Sequence, residues 1–75
     1  MKFKVIRSRP GGAYLVEREG SYCLVNLYTK RYNESKEPGV FLKQGYFEDA
    51  GEPDQAVLDA IAAILENPDS RLEIR

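Results

Sequence analysis

Apolar residues alternate with charged or polar ones over residues 2–8, again over 13–18, and most strongly over 22–29. A period of two with β-branched and aromatic residues is the mark of a strand, so these stretches predict three strands. Arg9-Pro10-Gly11-Gly12 separates the first two and reads as a tight turn. Pro sets the first central φ, and Gly accepts the positive φ that a type II turn needs second. Glu19-Gly20 separates the next two, completing an antiparallel meander. Residues 30–39 are polar and charged and close with Pro38-Gly39, which predicts a long loop. A fourth strand is expected over 40–47, weakened by Gly45. An acidic connector, 48–52, follows.

Residues 53–66 carry a different period. At 100° per residue Val57, Leu58, Ile61, Ile64 and Leu65 fall on one arc, with Gln55, Asp59, Ala62, Ala63 and Glu66 opposite. This predicts one helix with a single buried stripe. Pro53 suits its first turn, Asp54 favours its positive end, and Asn67-Pro68 ends it. Residues 71–75 alternate again and predict a closing strand. The expected order is β-β-β-β-α-β in a single domain spanning 1–75. The fold class is α+β: two layers, a mainly antiparallel sheet with one helix packed on one face.

Register sharpens the reading. With two-residue turns at Pro10-Gly11 and Glu19-Gly20, Lys4 falls opposite Glu17 and Lys2 opposite Glu19, two complementary pairs. One face then carries Phe3, Val5, Tyr14, Val16, Cys23, Val25 and Leu27, and should meet the helix. The other carries Ile6, Leu15, Tyr22, Leu24 and Tyr28 among Lys4, Ala13, Glu17 and Asn26. One helix cannot cover both faces. The second is therefore either folded over by the 30–39 loop or the fourth strand, or open as a contact surface. A one-residue slip would exchange the faces of a strand.

The chain has 75 residues, with 31% charged and a net charge of -1. A chain of this size supports one modest core. The balance is uneven along its length. Residues 1–37 hold eight Lys/Arg against four acids, whereas 38–75 hold three against eight. Histidine is absent and Cys23 stands alone. No Ser-His-Asp or Cys-His pair, no histidine or all-cysteine zinc site and no internal disulfide can form. The glycines form no phosphate-binding or dinucleotide motif. Glu48, Asp49, Glu52 and Asp54 lack the spacing of a calcium loop and read as solvated acids before a helix. No catalytic residue, metal or cofactor is expected. The start of the chain shows no secretory pattern, and the longest apolar run, 60–65, falls far short of the ~20 residues of a membrane span. The expected setting is cytoplasmic. No motif ties the chain to a family.

Two functions are expected from these residues. The first is a small non-enzymatic interaction module. It would use the helix-free sheet face (Ile6, Leu15, Tyr22, Leu24, Tyr28) for homodimerisation or a protein partner. The second is single-stranded nucleic-acid binding by Tyr28, Lys30, Arg31 and Tyr32 with Lys36, where aromatics interleave with cations. Glu34 and Glu37 dilute that cluster. Arg7 and Arg9 have the opposite parity from Lys2 and Lys4. The acidic 48–69 stretch could instead dock on a basic protein.

Overall fold

A computed structural model describes residues 2–72. Its elements are β1 (Lys4–Arg9), β2 (Ala13–Arg18), β3 (Ser21–Asn26), β4 (Arg31–Ser35), α1 (Gly39–Leu42), β5 (Glu48–Asp49), α2 (Gln55–Glu66) and β6 (Arg71–Leu72). A single 3-10 turn, Pro68–Ser70, precedes β6. The six strands form one sheet in the order β5-β1-β2-β3-β4-β6. All neighbours are antiparallel except β4 and β6. The α+β class and the single main helix on the sheet are as the sequence predicts. Two additions change the strand order. The stretch expected as a loop contains β4, and the acidic connector contains β5.

The β2–β3 hairpin has the predicted register throughout, from Ala13↔Asn26 to Arg18↔Ser21. Its turn residues, Glu19 at φ 50° and Gly20 at φ 80°, both lie in the left-handed region. This geometry matches the twist of the flanking strands. The β1–β2 hairpin departs from expectation. Three residues, Pro10, Gly11 and Gly12, separate the paired Arg9 and Ala13, with Gly11 at φ 96° and Gly12 at φ 76°. Near the turn the register is therefore shifted by one. A bulge at Ile6 absorbs the extra residue, and Lys4↔Glu17 and Val5↔Val16 pair as predicted beyond it. The bulge leaves Ile6 and Arg7 both on the Leu15 side, while Val5 stays on the other.

β3 stops at Asn26, three residues short of the predicted end. The Asn26 side-chain Oδ1 accepts from the backbone N–H of Tyr28 (2.8 Å) and Thr29 (3.1 Å). Lys30, at φ 58°, donates its N–H to the Asn26 carbonyl at 2.9 Å, and the chain reverses into β4. The α2 helix starts at Gln55 with Asp54 as its N-cap, so Pro53 precedes the helix instead of opening it. Its stripe packs where predicted. Ile61, Ile64 and Leu65 join Val16, Cys23, Val25 and Tyr32 in one core, flanked by Phe3, Val5, Tyr14, Leu27 and Val57. Asn67 closes this end, its Oδ1 accepting from Asp69 N–H at 3.0 Å. The last predicted strand is present as β6, and its residues 73–75 lie outside the described residues.

The second sheet face is covered. Residues 40–47, expected as a strand, instead form the one-turn helix α1 and a connector that crosses back to β5. Phe41 N–H and Leu42 N–H donate to the Pro38 carbonyl at 3.0 and 3.1 Å, closing the turn. Phe41 is thereby driven onto Ala13, Leu15 and Leu24, with Ile6, Tyr22 and Phe47 around them. Phe41 and Leu15 are 0% exposed. The sheet thus has two cores: a larger one under α2 and a smaller one under α1.

Candidate functional site

The residues expected to form an open contact face are divided by this arrangement. Leu15 and Leu24 are buried in the second core, with Ile6 and Tyr22 half-buried at its edge. They hold α1 on the sheet, and the surface offered there is α1's outer side instead. Tyr28 alone is open, at 80% exposure. The alternative cluster is divided too. Lys30, Arg31 and Lys36 are exposed, but Tyr32 is 5% exposed, on the face under α2, with the Arg18 guanidinium 5.6 Å from its ring centre.

The structure assembles another group from the second face. The pairings Arg9↔Ala13, Ala13↔Asn26 and Asn26↔Arg31 place four residues in one row across β1, β2, β3 and β4. The next row is Arg7, Leu15, Leu24, Asn33 and Leu72. Where these rows emerge from under α1 lies a groove of about 230 Å³. Its floor includes Ala13 and Leu24; Arg9, Asn26, Thr29, Arg31, Asn33 and Gln44 bring polar groups to its sides. No acidic residue lines it.

Local chemistry positions these side chains. Arg9 lies with its guanidinium carbon 5.2 Å from the centre of the Phe47 ring, a contact that restrains a long side chain while leaving its N–H groups available. The connector passes beside it: a Cβ at Gly45 would lie 3.4 Å from Arg9 Nη1, an ordinary contact. Neither Arg9 nor Arg31 has a salt-bridge partner among the described residues. Asn26 uses its carbonyl oxygen to hold the β3–β4 turn, the turn that also presents Thr29.

The bulge at Ile6 decides the placement of Arg9. In an unbroken register Arg7 and Arg9 would face α2, away from Lys4. The extra residue returns both to the Lys4 side. Nothing in the residue types of β1 announces a bulge. The available signal was the doubled glycine at 11–12, which permits a third turn residue.

A second polar centre lies on the opposite face and is structural. Glu34 bridges Arg18 and Arg71, each at 3.3 Å. Arg18 Nη1 also donates to the Leu65 carbonyl at 3.2 Å, tying the end of α2 to the sheet. The Cys23 thiol lies 3.9 Å from Glu34 Oε2 and has no exposed surface. Burial pushes its pKa up to about 11, with Arg18 opposing the rise. The thiol stays protonated at neutral pH, which suits a packing role and not a nucleophile. Among the described residues no group of three Cys or acidic side chains could hold a metal ion.

No family model, curated protein sequence or solved structure matches the chain. Among the described residues no helix is long and apolar enough to cross a membrane.

Proposed function

We propose that the chain is a small binding module, without catalysis of its own, that takes an anionic ligand in the groove between Arg9 and Arg31. The observation that carries this reading is the row Arg9–Ala13–Asn26–Arg31, which, with Asn33 and Gln44 beside it, brings two arginines and three amides to one acid-free hollow. Arginine offers a fixed fork of donors for phosphate or carboxylate oxygens, and the amides and the Thr29 hydroxyl add neutral ones. The lining contains no carboxylate, cysteine or histidine, the side chains that most often act as general acids and bases.

Titration with inorganic polyphosphate, followed by NMR, tests the reading. The side-chain amides of Asn26, Asn33 and Gln44 should shift together, and the paired substitution Arg9→Gln with Arg31→Gln should abolish the response. Shifts spread over the acidic surface of α2, or none at all, would refute it.

Homodimerisation remains a second reading, moved from the sheet face to the α1 segment. Val40, Leu42 and Tyr46 are all exposed there, Tyr46 at 68%. Solution molar mass at two concentrations, compared with Leu42→Glu, decides it. A monomer at the higher concentration removes it.

A further inference from the structure

We infer that the groove's ligand is a single-stranded nucleic acid, with one base laid on Tyr28 and its phosphates taken by Arg9 and Arg31. This rests on the anion-binding reading and narrows it.

Tyr28 is the first ground. It lies on the turn between β3 and β4 that also presents Thr29 to the groove. Its backbone is pinned by Asn26 Oδ1. One side of its ring rests on Gly12 of the neighbouring turn, so closely that a methyl group there would sit 3.0 Å from Cε2 and 3.2 Å from Cδ2. Glycine leaves room for the ring, and the ring still remains 80% exposed. An aromatic side chain held against backbone with its surface in water is a ready stacking platform. Much of the ordering that a base would impose on it is already in place.

The groove's chemistry is the second ground. A bare anion needs only donors. Asn33, Gln44 and Thr29 offer acceptors as well, which a phosphate cannot use and a base edge or sugar hydroxyl can. At about 230 Å³ the hollow is smaller than the roughly 300 Å³ at which small-molecule pockets begin. It therefore suits one unit of a chain that continues over the surface.

Spacing is the third ground. Arg9 and Arg31 stand on strands three intervals apart, so their backbones are separated by roughly 14 Å at ~4.8 Å per strand. Two cations so placed can follow a backbone across the sheet end. A duplex keeps its bases stacked within and could not lay one on Tyr28.

The test is fluorescence anisotropy with short labelled oligo(U) and oligo(dT), competed by duplex DNA, inorganic polyphosphate and oligoglutamate. Both single strands should bind. Affinity should fall with salt at a log–log slope of about -1.4 for two phosphate contacts, and Arg31→Gln should reduce that slope by about 0.7. Tyr28→Ala should weaken binding about tenfold, while Tyr28→Phe keeps it. Circular dichroism checks that these exposed-site variants remain folded. Polyphosphate binding with no preference for the oligonucleotides would overturn the nucleic-acid inference and leave the anion groove standing. No binding of either would remove both. Equal affinity for duplex, tighter binding of oligoglutamate, or indifference to Tyr28→Ala would each overturn it.

Discussion

Phe41→Ala is the substitution that most directly probes how the second sheet face is sealed. Phe41 is fully buried against Ala13, Leu15 and Leu24 and comes from a helix of only four residues, Gly39–Leu42. Such a helix has little stability of its own, so the side chain holds the segment down. Burying roughly 170 Å² of aromatic surface at ~25 cal/mol per Å² is worth about 4 kcal/mol. Measured Phe→Ala losses in cores run to about 3–5 kcal/mol. A 75-residue chain at the usual ~0.05–0.15 kcal/mol per residue has only about 4–11 kcal/mol in total. Urea denaturation of Phe41→Ala should therefore show about 3–4 kcal/mol lost, bringing the protein near its folding limit. Val40→Ala and Leu42→Ala, one residue to either side and both partly exposed, should each lose less than about 1 kcal/mol. Leu15→Asp should abolish folding, because it places a carboxylate in the same sealed layer. A loss below about 1 kcal/mol for Phe41→Ala would mean that Phe41 does not close this face, and the two-core description would fail.

Further outcomes follow from the polar centre and the turns. Glu34→Gln removes the charge between Arg18 and Arg71 and should lower stability by about 1–3 kcal/mol in thermal melts, since the Arg18 side chain is only 13% exposed. The folded state holds the Cys23 proton to about pH 11, against 9.0 for a free thiol. Above pH ~9 the unfolded chain binds fewer protons, so stability should fall by about 2 kcal/mol as pH rises toward 11. Urea midpoints on either side of this window, compared with Cys23→Ala, test that, and an equal fall in the variant would refute it. Glu19 sits at φ 50° ahead of Gly20. Glu19→Asn should therefore raise the melting temperature, by about 0.5 kcal/mol in stability, and Gly20→Ala should cost about 1 kcal/mol.

The parts of this fold that were legible in the sequence are those whose residues repeat with a period. The α2 stripe, the Val16/Cys23/Val25 face and the Glu19-Gly20 hairpin each carry several residues in phase. β4 was not legible because Arg31–Ser35 contains one large apolar residue, Tyr32. Its strand character comes from β3 and β6 on either side, not from its own composition. Residues 40–47 misled for the opposite reason: they are apolar enough for a strand, but a one-turn helix has no period to detect, and only Phe41 and Phe47 turn inward. For the groove, Arg31 and Tyr28 were visible as a cation beside an aromatic. Arg9 was not, because its side depends on a bulge that follows from turn length.

The bulge at Ile6 also affects how copies of this protein behave when crowded. β1 is flanked by β5 over only Arg7 and Ser8, so much of one margin of the sheet has no covering strand among the described residues. A straight, greasy margin would invite another molecule to zip onto it and nucleate fibres. Here the irregular backbone breaks the hydrogen-bond spacing such zipping requires, and the exposed Lys4 places a charge on the uncovered stretch. One surplus residue thus makes this margin a poor template for a second copy.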